Sequence, residues 1–302
     1  MIDYEHHTFS GGEEHIKVNA ATNAFVHRVE SSTDLIKLGL IKEALTADAL
    51  VSINIPYFPY GRQDRVCNEG EPHSLRFVCN YLKSLGFYKI FTHDLHSPVA
   101  HGILPNLINI TRASVFKELK AKYDLWVKEQ PTLDGELREA PEYLDGSQYD
   151  ALIAPDAGAL KHCYDDAEAL GIDKVFTATK VSDLKTREII ETTVEADPQE
   201  LQGMRVIITD DICDGGRTFL ELAKVLKDFF GVEQVDLFVT HGIFMNGLGQ
   251  LSQYIDHIYT TDSRTNSSDM KGKFHSIMDG EEPQDFLTVL EIIGNDNEKG
   301  ET

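Results

Sequence analysis

The residues best suited to chemistry follow a hydrophobic stretch in the second half of the chain. This segment reads Val206-Ile-Ile-Thr-Asp-Asp-Ile-Cys-Asp-Gly-Gly-Arg-Thr218. Gly215 and Gly216 let backbone N–H groups approach a phosphate closely, because neither residue has a Cβ atom. Arg217 adds a positive charge and Thr218 adds a hydroxyl, next to the predicted start of a helix, where N–H groups favour anions. The segment therefore predicts a phosphate-binding turn between a strand and a helix.

The three carboxylates of the same segment need a different ligand. Asp210, Asp211 and Asp214 would repel a phosphate, so they are better suited to sugar hydroxyls or to a bound Mg²⁺. The plain alternative is an acidic helix N-cap with a flexible turn. Three aspartates directly after a buried strand are costly, however, unless a ligand binds there. We expect a site that combines hydroxyl recognition with phosphate recognition.

The pattern of a strand followed by D-D-x-x-D-(T/G)-G-x-T resembles the phosphoribosyl-pyrophosphate-binding loop of two families. These are the type I phosphoribosyltransferases and the ribose-phosphate pyrophosphokinases, also called PRPP synthetases. The resemblance implies that Asp210 and Asp211 bind the 2- and 3-hydroxyls of a ribose, and that the backbone from Asp214 to Thr218 cradles its 5-phosphate. The chain departs from the usual loop at Gly215, where the family has Thr, and at Arg217, where it has a small residue.

A second segment favours the pyrophosphokinases. Ile55-Pro-Tyr-Phe-Pro-Tyr-Gly-Arg-Gln-Asp-Arg65 resembles the ATP-binding stretch that PRPP synthetases carry after a strand in the N-terminal half. Arg62 can bind phosphate through two N–H groups or stack on a purine, and Gln63 offers both donors and an acceptor. Arg65 adds a second cation, and Asp64 lies between them in the motif. A basic surface turn is the plain alternative, which two arginines within four residues disfavour in so acidic a chain.

Two further elements carry residue types that bind metals. Thr92-His-Asp-Leu-His-Ser97 resembles the D-L-H-S element of the family, whose histidine helps to hold ATP-bound magnesium, so the resemblance implies this role for His96. Ala154-Pro-Asp-Ala-Gly158 resembles the S-P-D-x-G turn, which assigns Asp156 to its metal- or ribose-contacting carboxylate. Mg²⁺ prefers oxygen ligands and retains waters, so a carboxylate, a water-linked histidine and substrate phosphates form a suitable shell.

The family also has a mobile catalytic loop with a K-x-R pair that folds over the triphosphate. The best register in this chain keeps Lys180 but has Ser182 where an arginine is expected. Lys185 and Arg187, just downstream, have the same K-x-R spacing. The candidate catalytic cations are therefore Lys180 and Arg187, and a solvated charged hairpin is the alternative interpretation of this stretch.

The resemblance covers nearly the whole chain, from Phe9-Ser-Gly-Gly-Glu13 to Thr260-Thr-Asp-Ser263. It implies Mg²⁺-dependent transfer of the β,γ-diphosphoryl group of ATP to the C1 hydroxyl of ribose 5-phosphate, with release of AMP. Three alternatives stay open. The acceptor could be a ribose with a larger 5-substituent, such as ADP-ribose; the protein could be a phosphoribosyltransferase; or it could be a non-catalytic regulatory subunit, which Ser182 alone favours.

The elements that must position these residues alternate between short β-branched runs and longer amphipathic ones. This alternation predicts an α/β fold with a mostly parallel sheet. The resemblance makes this more specific: two doubly wound parallel-sheet domains of the type I phosphoribosyltransferase kind, at 1–145 and 146–302. The predicted strands are Leu50 to Ile55, Lys89 to Thr92, Ala151 to Ala154, Lys174 to Thr177, Arg205 to Thr209, Val235 to Thr240 and Ile255 to Thr260. The predicted helices are Asp34 to Leu45, Ser74 to Leu85, Leu160 to Leu170 and Thr218 to Phe230.

The composition narrows the class of protein and its surroundings. Of 302 residues, 41% are hydrophobic and 26% are charged, as in a globular protein with a core. The 50 acidic residues outnumber the 28 basic ones, a net charge of −22, so we expect no binding to nucleic acid or to an anionic membrane. Four cysteines without a C-x-x-C pair and the lack of a signal-peptide pattern favour the cytoplasm. The resemblance also implies a homo-oligomer built from dimers, such as a hexamer.

Overall fold

The computed structural model describes residues 2–19, 22–45, 50–129, 143–182, 189–264 and 286–293. By compactness the chain divides into two units. The first comprises Met1–Thr111 with Ile293–Thr302, and the second comprises Arg112–Ile292. Each unit has its own parallel β-sheet and its own hydrophobic core. The α/β fold with parallel sheets that the sequence predicts is confirmed.

The first unit contains a four-stranded parallel sheet in the order β3-β4-β5-β6, preceded by the antiparallel hairpin β1-β2. Its strands are β1 (Tyr4–Thr8), β2 (Glu14–Val18), β3 (Ala24–Val26), β4 (Ser52–Asn54), β5 (Ile90–His93) and β6 (Leu107–Ile110). Its helices are α1 (Ser32–Ala44), α2 (Ser74–Ser84) and α3 (Val99–Ile103). Each helix follows one strand of the sheet and leads to the next, which is the βα rhythm that the sequence predicts.

Helix α2 shows why the sequence forms these elements. The residues Leu75, Val78 and Leu82 recur at helical spacing, and all three are buried on the face that packs into the core. Gly86 follows the helix with a φ of 67°, a left-handed conformation that glycine adopts without a steric penalty. The predicted helix from Ser74 to Leu85 and its stop are therefore confirmed to within one residue.

The second unit contains a seven-stranded sheet in the order β13-β12-β11-β10-β7-β8-β9. The described pairs are parallel except for β8 and β9, which are antiparallel. The strands are β7 (Ala151–Ala154), β8 (Val175–Ser182), β9 (Ile189–Val194), β10 (Arg205–Cys213), β11 (Gln234–Gly242), β12 (His257–Thr261) and β13 (Leu287–Leu290). The helices are α4 (Arg112–Glu129), α5 (Leu160–Leu170), α6 (Pro198–Leu201) and α7 (Arg217–Asp228). Strand β10 lies between β7 and β11 near the centre of the sheet, which explains its apolar run.

The two compact units divide earlier in the chain than the boundary predicted after residue 145. The cause is α4, which packs within the second unit. The Arg112 guanidinium forms a buried ion pair with Asp166 of α5, and the Phe116 ring meets the ring of Phe238 on β11 with centroids 4.6 Å apart. The division into functional domains at 1–145 and 146–302 stays a prediction.

The two largest extensions beyond a predicted strand end are those of β10 and β8. The prediction ended one of them at Thr209, but β10 continues to Cys213, because β11 is equally long and pairs with it there. Asp210 and Asp211 therefore lie within the strand instead of in the turn after it. Strand β8 likewise runs to Ser182, because it pairs with β9.

Hydropathy adds one further finding. Among the residues described above, no helix combines the length and the apolar character that crossing a bilayer requires.

Candidate active site

In the first unit, the predicted ATP-binding segment is joined to the turn that carries His96. One Asp64 carboxylate oxygen accepts a hydrogen bond from Arg65 Nε at 2.9 Å, and the other accepts one from Ser97 Oγ at 2.8 Å. Gly61 is also close to this turn, since a Cβ atom there would lie 3.6 Å from the Cβ of His96. The fold therefore brings together the residues after β4 and the residues after β5, as expected of the carboxyl ends of neighbouring parallel strands.

The charges of this cluster are arranged to receive an anion. The guanidinium of Arg65 and the hydroxyl of Ser97 lower the pKa of Asp64, with a further contribution from His96. Asp64 thus stays ionised and holds Arg65 in place. Arg62, Arg65 and His96 are exposed to solvent at this edge, so they are accessible to a phosphate chain.

Three turns of the described chain hold a residue other than glycine at positive φ: Tyr60 at 60°, Asp94 at 41° and Phe244 at 46°. Such conformations are costly and concentrate at functional sites. Tyr60 precedes Gly61, Asp94 precedes the His96 turn, and Phe244 follows β11. The turns at Tyr60 and Asp94 thus adjoin segments that the sequence assigns to ligand binding. Phe244 belongs to a loop that contacts such a segment.

In the second unit, the glycine turn between β10 and α7 is braced by the loop that follows β11. The backbone N–H of Met245 donates to the carbonyl of Asp214 at 2.9 Å, and Asn246 Nδ2 donates to the carbonyl of Gly215 at 3.0 Å. The N–H of Phe244 donates to the carbonyl of Cys213 at 3.1 Å. These bonds fix the backbone of the turn before any ligand arrives. The sequence analysis missed this loop, because nothing local indicates which turn it contacts.

Gly216 is the most constrained position of the turn. Its φ is 80°, and a Cβ atom there would lie 3.1 Å from a methyl carbon of Leu251. Helix α7 begins at the next residue, Arg217, so its first N–H groups point out of the turn. Arg217 is exposed and Thr218 is partly buried at this helix start. The arrangement suits a phosphate held by backbone N–H groups.

The carboxylates that precede the turn are held in an unusual environment. Burial raises the pKa of Asp210 above its ordinary value, and the charge of Asp211 raises it further, whereas Arg112 lowers it. The backbone N–H of Asp211 donates to Asp210 Oδ1 at 2.9 Å. A pair of interacting carboxylates at the end of a buried strand is a typical feature of functional sites.

Asp156, the predicted metal- or ribose-contacting residue, follows β7 in the second unit. Its Oδ1 atom accepts hydrogen bonds from the N–H groups of Gly158 and Ala159, at 3.0 and 3.1 Å, and so closes the turn before α5. His96 lies in the first unit. Among the described residues, no group of three or more His, Cys, Asp or Glu side chains is arranged to hold a metal ion. Mg²⁺ often takes most of its ligands from substrate phosphates and water, so a single carboxylate or a water-linked histidine is compatible with it.

The predicted catalytic cations are only partly covered by the described residues. Lys180 lies on β8, opposite Thr192 of β9. Lys185 and Arg187 lie outside the described residues. The roles assigned to Lys180 and Arg187 stay predictions.

The sequence analysis also did not predict a buried cluster of polar side chains that contacts β10. Arg112 Nε lies 2.7 Å from Asp166 Oδ2, and Thr209 Oγ1 donates to the same oxygen at 2.8 Å. The signal that points to it is Asp166 itself, which stands between Cys163 and Ala167 on the buried face of α5. A carboxylate on an apolar helix face requires a buried partner.

Comparison with known proteins supports one family. The phosphoribosyl transferase domain family matches residues 137–273. The ribose-phosphate pyrophosphokinase of Pyrococcus furiosus is 31% identical over 237 residues, covering 74% of this chain and 73% of that protein. The Thermococcus kodakarensis enzyme of the same name is 28% identical over 279 residues, covering 87% and 86%.

The fold has a counterpart of known structure. The phosphoribosylpyrophosphate synthetase of Mycobacterium smegmatis matches with a TM-score of 0.67 at 20% identity, covering 96% of this chain and 86% of that one. This likeness agrees with the two parallel-sheet units described above. The sequence match to the Pyrococcus furiosus enzyme shows that the chain belongs to the ribose-phosphate pyrophosphokinase family.

Proposed function

We propose that the protein transfers the β,γ-diphosphoryl group of ATP to the C1 hydroxyl of ribose 5-phosphate in a reaction that needs Mg²⁺. Family membership supports pyrophosphokinase activity in general, and the nucleotide, the metal and the acceptor are the finer points of the proposal. The observation that carries it is the hydrogen bond from Ser97 to Asp64, which joins the arginine-containing segment to the His96 turn. A phosphoribosyltransferase has no use for such an ATP segment.

The second unit would bind the acceptor. The carboxylates of Asp210 and Asp211 accept hydrogen bonds from the 2- and 3-hydroxyls of the ribose, and bonds to a charged acceptor are the stronger kind. The braced backbone from Asp214 to Thr218 receives the 5-phosphate. Because the turn is held in shape beforehand, little ordering cost is left for the binding step.

The first unit would bind the donor. Arg62 and Arg65 neutralise the triphosphate, and Gln63 hydrogen-bonds to the nucleotide. The C1 oxygen forms a bond to the β-phosphorus while the bond from that phosphorus to the departing AMP oxygen breaks, and the hydroxyl proton is released. Lys180 adds charge where the nonbridging oxygens become more negative. Holding both substrates in attack geometry contributes ~7 to 11 kcal/mol in well-oriented systems.

His96 in the first unit and Asp156 in the second unit are each a proposed metal ligand. A bound Mg²⁺ supplies charge neutralisation at the phosphoryl oxygens. The dimer-based homo-oligomer and the cytoplasmic location stay predictions.

The products of the reaction test the proposal directly. Incubation with ATP, Mg²⁺ and ribose 5-phosphate should yield AMP and a sugar heavier by two phosphoryl groups, as measured by mass spectrometry. Formation of ADP would contradict the proposal and indicate transfer of one phosphoryl group. Pyrophosphate release with a nucleobase would indicate a phosphoribosyltransferase, and the absence of AMP with any sugar would favour a regulatory subunit.

Arg217 favours a second acceptor. This acceptor is a ribose with a 5-diphosphate substituent, such as ADP-ribose. The Arg217 side chain is exposed at the first position of α7, directly beside the glycine turn. A single 5-phosphate is served by the backbone N–H groups, so an additional cation suits an acceptor with a second phosphate.

Arg217→Ala is expected to lower kcat/KM with ADP-ribose by about 10-fold more than kcat/KM with ribose 5-phosphate, the effect of one lost charge-assisted hydrogen bond. The measurement is AMP formation with each acceptor over a range of concentrations. Lys224→Ala is the matched control, because it removes an exposed cation from the same helix away from the turn. An unchanged ratio between the two acceptors in the Arg217 variant would exclude a contact with the second phosphate.

A further inference from the structure

The side chain of Asn246 fills the space that a side chain at position 215 would need. Asn246 Nδ2 donates to the carbonyl of Gly215 at 3.0 Å, and a Cβ atom at Gly215 would lie 3.0 Å from the same nitrogen. Ordinary contacts of a Cβ atom begin at 3.4 Å. The carboxamide of Asn246 and a side chain at position 215 would therefore compete for one place, on the glycine turn between β10 and α7.

The loop that carries Asn246 is held in place without its side chain. The backbone N–H groups of Ile243 and Phe244 donate to the carbonyl of Cys213, at 2.9 and 3.1 Å. The N–H of Met245 donates to the carbonyl of the residue after Cys213, at 2.9 Å, and the side chain of Phe244 is buried. Anchoring the loop is therefore a weak reason for the carboxamide, because three backbone hydrogen bonds already anchor it.

The carboxamide brings a hydrogen-bond donor that Gly215 itself lacks. The amide nitrogen carries two hydrogens, of which the Gly215 carbonyl takes one. Asn246 is exposed and Gly215 is partly buried, so a ligand that enters the turn has access to the second hydrogen. Because glycine has no side chain, the side-chain donor at this point of the turn comes from the neighbouring loop.

The surroundings of the turn indicate which ligand atom suits this donor. The segment that leads into the turn carries the carboxylates of Asp210, Asp211 and Asp214, and an uncharged amide adds no further repulsion toward an anion. An N–H group bonds more strongly to a charged acceptor than to a neutral one, so a phosphate oxygen gains more from it than a sugar hydroxyl does. The first N–H groups of α7 favour the same kind of ligand.

We propose that Asn246 is a ligand of the acceptor's 5-phosphate: from the loop after β11, its carboxamide supplies the side-chain donor that Gly215 cannot. The inference rests on the proposed function, because it takes the turn as the site of the 5-phosphate. One Nδ2 hydrogen stays on the Gly215 carbonyl, and a phosphate oxygen accepts the other. The alternative is that the carboxamide only braces the turn, and the two roles have different consequences.

Two variants distinguish a phosphate ligand from a brace. Asn246→Ala removes the carboxamide and leaves the three backbone hydrogen bonds of the loop. Gly215→Ser/Asn246→Ala returns a hydroxyl donor to the same place without restoring the bond to the carbonyl of residue 215. Serine fits there, because the φ of Gly215 is not in the left-handed region and both atoms within 4 Å of its Cβ belong to Asn246. Gln250→Ala is the matched control, because it removes an exposed carboxamide from the same unit.

The KM for ribose 5-phosphate and the KM for ATP are measured through AMP formation. Asn246→Ala should raise the KM for ribose 5-phosphate by about 10-fold, the effect of one lost hydrogen bond to a charged group. The double variant should recover most of that loss. The KM for ATP should stay near the wild-type value in every variant, as should both constants of the control. A double variant as impaired as Asn246→Ala would overturn the proposal and indicate a brace, and an unchanged KM in Asn246→Ala would overturn it as well.

A measurement without turnover separates this proposal from the proposed function. Heteronuclear NMR follows the side-chain amide signals of Asn246, which are assigned by their absence from the spectrum of Asn246→Ala. Ribose 5-phosphate should shift these signals, and ribose at the same concentration should not. If the signals shift in this way but the wild-type protein makes no AMP, the proposed function fails and the phosphate contact stands. If the protein makes AMP while the signals stay in place, the reaction assignment stands and Asn246 is not a phosphate ligand.

Discussion

Asp210→Asn is expected to give a protein that is more stable than the wild type at neutral pH. The variant should also use the sugar acceptor about 100-fold less efficiently, because it loses charge-assisted hydrogen bonds to the hydroxyls. The stability gain follows from the site itself. Burial and Asp211 both disfavour the charge of Asp210 in the folded protein. Asparagine has the same shape, and its Oδ1 can still accept the N–H of Asp211. The gain should be on the order of 1 to 2 kcal/mol in the free energy of unfolding.

The pH dependence of that gain has a definite sign. The pKa of Asp210 is higher in the folded protein than in the unfolded chain. The unfolded chain therefore loses this proton at a lower pH, and the wild type loses stability as pH rises from the unfolded to the folded pKa. The difference between the variant and the wild type should be near zero below the unfolded pKa, grow across that interval and stay constant above it.

Denaturant unfolding at a series of pH values measures this difference, and AMP formation at varied sugar concentration measures the functional loss. Asp173→Asn is the control, because it removes the same charge from an exposed side chain in the second unit. It should change neither quantity appreciably. An Asp210 variant that is less stable than the wild type at neutral pH, or that keeps the wild-type KM for the sugar, would contradict the assignment.

Local patterns were enough to predict the parts of the site that lie close together in sequence. The run of apolar residues into Asp210, Asp211 and the two glycines predicts a strand, a turn and a helix, and β10 and α7 are found there. Helix α2 was predicted from its apolar spacing for the same reason. The alternation of such elements was sufficient for the α/β class.

The rest depends on residues far apart in the chain. The extension of β10 through its two aspartates follows from pairing with β11, whose length no residue of β10 encodes. Arg112 and Asp166 are separated by 54 positions, so only the packing of α4 on α5 brings them together. The hydrogen bond from Asn246 to Gly215 likewise joins two loops that the sheet order makes neighbours. Each feature that the sequence did not predict depends on a tertiary contact, which overrides or supplements a local preference.

Gly216→Ala is the second substitution for which we expect a large effect. It should weaken acceptor binding by changing the shape of the turn. Alanine at a φ of 80° costs about 1 to 2 kcal/mol. Its Cβ would also lie 3.1 Å from a methyl carbon of Leu251, which is 2% exposed and has little room to withdraw. The backbone must therefore move, and a displacement by about 1 Å of the N–H groups that are proposed to bind the phosphate can lower kcat/KM by about 100-fold.

Gly249→Ala is the matched control for this prediction. A Cβ atom at Gly249 has nothing within 4 Å, and its φ is not in the left-handed region. The control should keep the wild-type KM for the sugar phosphate, while the Gly216 variant should show a raised one. The KM for ATP should differ little among the three proteins, because the predicted ATP-binding segment lies in the first unit.

Ligand-induced stabilisation separates a lost binding site from a damaged fold. A ligand that binds only the folded protein raises Tm by an amount that grows with the ratio of its concentration to its Kd, so sugar phosphate should raise the Tm of the wild type and of Gly249→Ala. The Gly216 variant should have a lower Tm that does not respond to the sugar phosphate at the same concentration. If its Tm rises with the sugar as much as that of the wild type, the turn does not hold the 5-phosphate, and the acceptor must be bound elsewhere in the second unit.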